Sequence, residues 1–261
     1  MSVSFRFKIR QPVFPPEGSA RPEKEFQMKR IVILGGSFNP VHNGHLRLAL
    51  EMGEALQADR LDFVPSFRPP HKAQSGLLPF ELRVEALRLA LRGLDGAHIN
   101  LFEAGLEEPS YSIYTLLDYV KREPEAELFF ALGLYDFAQL HKWYRWEELI
   151  LYANLVVAPR QGGNADDFMK ISRTLWPGCT AGSDCRQPLC LNPQPGREKG
   201  QTKQAYYLPV PRLDISASLI RQKWLSGHSL DFLLPNPVIN LLNEKQQDVR
   251  TAWQFSENSR L

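Results

Sequence analysis

Short runs of β-branched and aromatic residues alternate with longer segments of helical periodicity along most of this chain. The runs predict strands at residues 31–34, 61–64, 98–102, 127–132, 154–158 and 206–210. Between the earlier runs, apolar residues recur at three- and four-residue steps and predict helices at 44–57, 79–92 and 112–122. Strand alternating with helix favours an α/β fold, a doubly wound parallel sheet with helices on both faces.

The 261 residues suit one large domain that carries an insertion and extended ends. Residues 1–27 are rich in proline and charge without periodicity and predict a disordered N-terminal extension, before a single domain over 28–245. Residues 159–204 contain several glycines and prolines, so we expect a partly irregular insertion before the last strand. Residues 246–261 predict a polar C-terminal tail. The remaining predicted helices are at 166–175, 216–224 and 237–243.

The charge balance argues against several classes of partner. Lys and Arg number 31 against 29 Asp and Glu, a net charge of +2, so we expect neither nucleic acid nor an anionic membrane as a partner. No run approaches the roughly 18 apolar residues of a membrane span, and no signal-peptide core is evident, so we expect a cytoplasmic protein. The three cysteines, Cys179, Cys185 and Cys190, predict reduced thiols rather than a disulfide framework or a zinc site.

The strongest functional signal is the segment GGSFNPVHNGH at residues 35–45, between the first predicted strand and the first predicted helix. Glycines after a strand let the backbone approach a phosphate, and the amides that open a helix add donors and a positive dipole. His42 and His45 are three residues apart, so both imidazoles can face one anion; the alternative is a histidine pair that caps a turn. The predicted phosphate site contains Gly35, Gly36, Ser37, Phe38, His42 and His45.

A second anion-binding element is the segment DISASLIR at residues 214–221, after the last predicted strand. Ser216 is placed to cap the helix that follows, and Ser218 exposes a hydroxyl in its first turn. Arg221 lies three residues beyond Ser218 on a neighbouring face of that helix. A serine cap with a surface arginine is often only structural, but together with the first segment it favours a second contact to the same ligand.

These two elements resemble the hallmark motifs of the nucleotidylyltransferase superfamily, H-x-G-H and I-S-x-[ST]-x-I-R. Further segments narrow the resemblance to the bacterial nicotinate-nucleotide adenylyltransferases: PPHK at 69–72, PSYS at 109–112, Trp143, and LP at 234–235. The resemblance spans about residues 29–243 and implies a Rossmann-like fold. It also implies a reaction, in which ATP and nicotinate mononucleotide give deamido-NAD (nicotinate adenine dinucleotide) and pyrophosphate in NAD biosynthesis.

Adenylyl transfer by direct attack of a substrate phosphate on the α-phosphorus of ATP needs alignment and charge neutralisation rather than a protein nucleophile. The resemblance gives His45 the central role at the α-phosphate, with His42 and Arg221 as further catalytic residues. No carboxylate cluster or Cys/His spacing predicts a metal site, so we expect Mg²⁺ to arrive with ATP, and no tightly bound cofactor. Further contacts to the ATP phosphates are assigned to Ser216, Ser218 and Lys72.

The same resemblance assigns residues to the nicotinate end of the substrate. Family members stack the pyridine ring on a tryptophan at the position of Trp143. Ser110 and Tyr111 would supply hydroxyl or amide donors to the carboxylate, unless they form an ordinary helix cap. His71 lies on a proline-rich loop that could close over the substrates and is assigned to the mononucleotide.

One departure from the family pattern concerns the nucleotide ribose. The family usually has Gly-x-Asp after the fourth strand, whereas here Gly133 is followed by Leu134, Tyr135 and Asp136. We expect the ribose contact to shift to Asp136; the alternative is a weakened contact from Tyr135. Two other functions stay open: an adenylyltransferase for nicotinamide mononucleotide or another phosphate ester, and a non-catalytic nucleotide-binding paralogue. The sequence also leaves open whether the chain forms a homo-oligomer.

Overall fold

One eight-stranded sheet lies at the centre of the computed structural model, which describes residues 28–70, 76–159, 163–181, 189–192, 203–211 and 213–254. The strands follow one another across the sheet in the order β3-β2-β1-β4-β5-β8-β7-β6. Their bounds are β1 Arg30–Gly36, β2 Arg60–Pro65, β3 Ala97–Ile99, β4 Glu127–Gly133, β5 Asn154–Ala158, β6 Thr180–Ala181, β7 Leu189–Asn192 and β8 Ala205–Tyr207.

Strands β3, β2, β1, β4, β5 and β8 are neighbours in the sheet and are all parallel. Strands β7 and β6 extend the sheet beyond β8 as an antiparallel edge. This confirms the predicted doubly wound, Rossmann-like fold. Strand β1 pairs with β2 on one side and with β4 on the other, so the direction of winding reverses between β1 and β4. In open α/β sheets, ligands bind beyond the carboxyl ends of the strands at this reversal.

Nine α-helices surround the sheet within the described residues. They are α1 Asn43–Leu56, α2 Phe80–Ala90, α3 Ser112–Arg122, α4 Leu134–Ala138, α5 Trp146–Tyr152, α6 Ala165–Leu175, α7 Ala217–Leu225, α8 Asn236–Glu244 and α9 Gln246–Gln254. The six predicted helices agree with the structure to within two residues at either end. Helices α4, α5 and α9 were missed, and the strand predicted at 98–102 stops at Ile99, before a 3-10 turn at Phe102–Gly105.

Helices cover both faces of the sheet because alternate residues of the central strands point to opposite sides. Val32 and Leu34 of β1 pack in one apolar cluster with α1, α2, α7, α8 and α9. Ile31 and Ile33 pack in a second cluster with α3, α4, α5 and α6. The continuous apolar run of β1 therefore lies between two layers of helices.

The C-terminal segment differs from the predicted polar tail over residues 246–261. Helix α9 occupies its first part, and Val249 and Trp253 are fully buried. These two residues are four positions apart, so they share one helix face although the rest of the segment is polar. Trp253 packs edge-to-face on Trp224 of α7 with ring centroids 5.3 Å apart. Residues 255–261 lie outside the described residues.

The insertion predicted at 159–204 is partly described. It contains α6, as predicted, and strands β6 and β7, which the sequence analysis did not predict. Strand β7 pairs with β8, and this pairing attaches the insertion to the edge of the parallel sheet. The predicted N-terminal extension, residues 1–27, and Cys185 lie outside the described residues.

A buried carboxylate fastens α3 to the sheet. Asp62 of β2 is 3% exposed and accepts a hydrogen bond of 2.6 Å from the hydroxyl of Tyr119 on α3. Arg60 also contacts Asp62, with 3.0 Å between Nε and Oδ2, and its Nη1 lies 2.6 Å from Glu123 Oε1. Burial and the charge of Asp62 raise the pKa of Tyr119, so its phenol stays protonated and donates at neutral pH.

We expect Tyr119→Phe to lower the free energy of unfolding by about 1.5 to 3 kcal/mol, because it removes a buried hydrogen bond to a charged acceptor. Urea denaturation of both proteins at pH 7 measures the difference. Tyr135→Phe is the matched control, because the Tyr135 side chain is 67% exposed. Equal stability of all three proteins would show that the Tyr119 hydroxyl does not hold α3 in place.

Candidate active site

A cavity of about 640 Å³ lies beyond the carboxyl ends of β1 and β4, where the direction of winding reverses. Its wall is built from the loop between β1 and α1, the start of α1, the start of α3, helix α4 and the segment that leads into α7. The predicted site residues in this wall are Gly35, Gly36, Ser37, Phe38, His42, His45, Ser110, Tyr111, Gly133, Tyr135, Asp136 and Trp143.

The two histidines of the first motif are stacked on each other at the start of α1. Their ring centroids are 3.6 Å apart and the ring planes are inclined by 23°. The backbone N–H of His42, the N-cap residue, donates to His45 Nδ1 at 3.2 Å. An Nδ1 that accepts a hydrogen bond carries no proton, so in the neutral imidazole the proton is on Nε2. His45 can therefore donate one hydrogen bond from Nε2 to a phosphate oxygen.

Gly44, between the two histidines, is required by the close approach of the His42 ring. A Cβ at this position would lie 3.0 Å from His42 Nδ1, 3.1 Å from His42 Cε1 and 3.6 Å from Ile215 Cβ. The motif residue is glycine because any side chain would push against an imidazole that is itself only 2% exposed.

Asn39, which the sequence analysis did not assign, anchors the loop between β1 and α1. It is 4% exposed, donates from Nδ2 to the Gly76 carbonyl at 2.6 Å and accepts from the Leu78 N–H at 3.0 Å. The backbone carbonyl of Asn39 accepts a hydrogen bond of 3.0 Å from Arg221 Nη1. The only signal in the sequence was its position inside the first motif, because its partners are distant along the chain.

Arg83 of α2 is a second anchor that the sequence analysis missed. Its guanidinium donates to the carbonyls of Ser37 at 2.7 Å, Ser66 at 2.8 Å and Leu78 at 3.1 Å. Burial lowers its pKa to about 10, so it remains positively charged at neutral pH. One side chain thus holds the loops after β1 and β2 at a fixed separation. The signal in the sequence was that Arg83, a charged residue, stands among the apolar residues of the helix predicted at 79–92.

The second motif reaches the cavity through Asp214, Ile215 and Ala217, which form part of its wall. Ser216 is the N-cap of α7 and accepts from the Leu219 N–H at 3.2 Å, which confirms the predicted cap. Arg221 donates to Ser218 Oγ at 3.1 Å as well as to Asn39. Ser216, Ser218 and Arg221 therefore lie beside the cavity, with Arg221 attached to the first motif.

At the predicted nicotinate end, Ser110 and Tyr111 both have contacts within the protein. Ser110 Oγ accepts from the Arg68 N–H at 2.9 Å, and the Ser110 N–H donates to the Arg68 carbonyl at 3.0 Å. Tyr111 is the N-cap of α3 and packs on Tyr144, with centroids 4.6 Å apart. The amides of Ser112 and Ile113 come next, and amides in a first helical turn have no acceptor within the helix. These amides are therefore available as donors to a ligand.

Glu103 places a buried carboxyl group in the same wall of the cavity. It accepts a hydrogen bond of 2.8 Å from Thr115 Oγ1 on α3. Burial raises its pKa, against the opposing effect of hydrogen bonds from Ser110 and Thr115. A carboxyl shifted toward its neutral form repels a ligand carboxylate less than an ionised one. Nothing in the sequence pattern had singled out Glu103.

Trp143 and the residues after β4 also line the cavity. Trp143 is half-buried, and Phe130 packs on it at 6.4 Å with the ring planes at 81°. Gly133 is the N-cap of α4, whose first turn contains Tyr135 and Asp136. The Tyr135 side chain is largely exposed and that of Asp136 is half-buried, and both residues line the cavity.

Some predictions are not addressed by this geometry. His71 and Lys72 lie outside the described residues. In the described part of the chain, no group of three or more His, Cys, Asp or Glu residues could hold a metal ion. No helix there is long and apolar enough to cross a membrane.

Comparison with known proteins assigns the fold and this motif pair to a family. A family model described as cytidylyltransferase-like matches residues 33–223. The chain belongs to the cytidylyltransferase-like family. The match begins within β1 and ends in α7, so it contains both motifs and all of the parallel strands except the first three residues of β1.

Within the cytidylyltransferase-like family, relatives bear the function that the motifs suggested. A probable nicotinate-nucleotide adenylyltransferase of Geobacter sulfurreducens is 35% identical over 215 residues, which cover 82% of this chain and 95% of the relative. One from Shewanella baltica is 34% identical over 220 residues, 83% of this chain and 98% of the relative. The nicotinic acid mononucleotide adenylyltransferase of Plasmodium falciparum, solved with NaAD, has a TM-score of 0.62 at 16% identity, covering 84% of this chain and 97% of that one. The two sequence relatives confirm the resemblance inferred from the motifs, and the solved structure confirms the fold.

We expect Gly44→Ala to lower kcat by about 10- to 100-fold, because the added methyl displaces the His42 ring and small misplacements at a reacting centre are costly. Helix propensity alone would favour alanine by about 1 kcal/mol, so stability should fall only slightly. Steady-state kinetics and thermal unfolding measure the two effects. Gly178→Ala is the control, since a Cβ there meets no atom within 4 Å. Unchanged kcat in Gly44→Ala would mean that the His42 position is unimportant.

Proposed function

We propose that this chain transfers the adenylyl group of ATP, taken as its Mg²⁺ complex, to nicotinate mononucleotide, giving deamido-NAD and pyrophosphate. The observation that carries the proposal is the stacked pair His42 and His45 at the N-terminus of α1, inside the cavity at the change of winding direction. The cavity volume of about 640 Å³ lies within the usual range of small-molecule sites. The names of the 33–35% identical relatives support the same reaction.

The chemistry follows from the donors that surround the phosphate position. An oxygen of the mononucleotide phosphate attacks the α-phosphorus, and the bond to the oxygen of the β-phosphate breaks, so pyrophosphate leaves with the electron pair. His45 Nε2–H and the amides at the start of α1 stabilise the charge on the α-phosphate oxygens. Arg221 adds a fixed positive charge on the same side, and Ser216, Ser218 and Lys72 stay predicted contacts.

The start of α3 supports nicotinate rather than nicotinamide as the pyridine. A helix N-terminus carries a partial positive charge and N–H donors, which favour an anionic carboxylate over a neutral amide. Trp143, Ser110, Tyr111 and His71 stay predicted contacts at this end, and the cytoplasmic location and oligomeric state also stay predictions.

A direct assay tests this proposal. Purified protein is incubated with ATP, Mg²⁺ and either mononucleotide, and the dinucleotide product is resolved by chromatography. We expect kcat/KM for nicotinate mononucleotide to exceed that for the amide by about 10-fold or more, because donors desolvated for a carboxylate match an amide poorly. Equal values would contradict the preference, and no product with either would leave the non-catalytic paralogue as the better explanation.

His45→Ala, purified in the same way, is the control for a contaminating enzyme in that assay. Loss of a preorganised donor to the developing charge should lower kcat about 10²- to 10³-fold with little change in KM. Product formation at the wild-type rate by the folded variant would exclude His45 from the reaction.

We expect Asp136→Ala to weaken ATP or dinucleotide binding by about 10- to 150-fold, because a hydrogen bond to a charged acceptor is lost. The half-buried position of Asp136 in the cavity wall supports this residue over Tyr135 as the ribose ligand. Titration calorimetry measures the affinities, with Tyr135→Phe as the paired variant. If Tyr135→Asp tightens binding while Asp136→Ala has no effect, the shift to Asp136 is wrong.

A further inference from the structure

Arg221 is oriented by the loop of the first motif. Its Nη1 donates to the Asn39 carbonyl at 3.0 Å and its Nη2 donates to Ser218 Oγ at 3.1 Å. Ser218 is on the same helix as Arg221, whereas the Asn39 contact joins the guanidinium to the loop of the first motif. The direction of the Asn39 backbone carbonyl therefore helps to orient this positive charge relative to the loop.

The Asn39 side chain fixes that carbonyl, and the C-terminal helix takes part. Asn39 Oδ1 accepts hydrogen bonds from the Leu78 N–H at 3.0 Å and from Trp253 Nε1 at 3.4 Å. Trp253 is 214 positions away along the chain and fully buried. Helix α9 thus contacts the loop of the first motif through Trp253.

Trp253 also touches the helix that carries Arg221. Its ring packs at 89° on Trp224, three residues beyond Arg221 on α7. Trp224 is in turn held by Asn243 of α8, which accepts from its Nε1 at 3.2 Å. Trp253 therefore contacts both structures that meet at Arg221, the loop that supplies the carbonyl acceptor and the helix that supplies the guanidinium.

Helix α9 lies beyond the part of the chain that defines the family. The cytidylyltransferase-like model ends at residue 223, whereas α9 covers Gln246–Gln254. The contact between Trp253 and Asn39 thus joins an element outside the matched region to a residue inside the first motif.

We propose that Trp253 is a positioning residue for Arg221, through its hydrogen bond to Asn39 and its packing on Trp224. This rests on the proposed function in one respect, that Arg221 faces the phosphates of bound ATP. Helix α9 then serves the reaction although none of its residues lines the described cavity.

Trp253→Phe separates the hydrogen bond from the packing, because phenylalanine keeps an aromatic ring beside Trp224 and loses the N–H. We expect kcat to fall about 3- to 10-fold and KM for ATP to rise about two- to threefold, since a guanidinium held less firmly loses contact with the phosphates both in bound ATP and in the transition state. Val249→Ala is the matched control: Val249 is equally buried on α9 but has no donor for Asn39. It should lower the melting temperature and leave kcat within twofold.

The second arm repeats Trp253→Phe in the Arg221→Ala background. If Trp253 acts through Arg221, Trp253→Phe should change kcat less than twofold in the protein that already lacks Arg221, as expected of two residues in one coupled unit. An equal effect with and without Arg221, an equal loss of kcat in Val249→Ala, or an unchanged kcat in Trp253→Phe would each overturn the proposal. Trp253→Tyr, which also lacks the indole N–H, replaces Trp253→Phe if that variant does not fold.

The proposal can fail independently of the proposed function. Ratios of kcat are taken with whichever mononucleotide the wild-type protein adenylylates, so a different substrate does not affect them. If the wild-type protein adenylylates none, four proteins are titrated with Mg²⁺–ATP: wild type, Trp253→Phe, Arg221→Ala and the variant that carries both substitutions. Positioning then requires Trp253→Phe to weaken ATP binding at least twofold when Arg221 is present and not when it is absent.

Discussion

Strand β1 is the constraint on which the rest of the structure depends. Ile31, Val32 and Ile33 have no solvent exposure, and the strand pairs with β2 and β4 on its two sides. A strand enclosed in this way requires helices on both faces, and the right-handed crossovers of parallel strands then place the winding reversal at its edge with β4. The glycines that follow at once occupy the point where such sheets bind ligands. One apolar run therefore determines both the layers of the fold and the position of the phosphate loop.

The loop after β1 owes its shape to long-range anchors more than to its own sequence. Arg83 binds three carbonyls around it, and Asn39 connects it to the start of α2, to α7 and to α9. A buried guanidinium that donates to neutral carbonyls is costly to desolvate, which the lowering of its pKa to about 10 reflects. Such a cost is tolerated where it fixes geometry at a functional site, and here it fixes the backbone that faces the phosphates.

The sequence predicted what depends on local pattern and missed what depends on distant pairing. Helices α1 and α3 and strand β5 were predicted because their periodicity is strong over a full element. Helix α9 was missed because its buried residues, Val249 and Trp253, stand in a segment that is otherwise mostly polar. Strand β7 was missed because it is defined by its pairing with β8 rather than by its own sequence pattern. Both motifs were found because their residues are contiguous. The pair of Asn39 and Trp253 could not be found in this way, since its contact joins positions 214 residues apart. Glu103 could not be found because its burial depends on how the segment after β3 packs against α3.

The positive groups at the site are local features of a chain that has little net charge. The net charge is only +2, and the described residues provide no cluster of carboxylates for a metal. For the proposed adenylyl transfer, the charge of an ATP phosphate would be met instead by groups whose polarity is local: amides and the dipole at the start of α1, one imidazole donor on His45, and the guanidinium of Arg221. Because these groups are fixed by the fold before any ligand binds, they need little reorganisation as charge develops on the transferring phosphate. For the proposed adenylyl transfer, catalysis then rests on the rigidity of the loop between β1 and α1, and so on Asn39 and Arg83, which touch no reacting atom in this scheme.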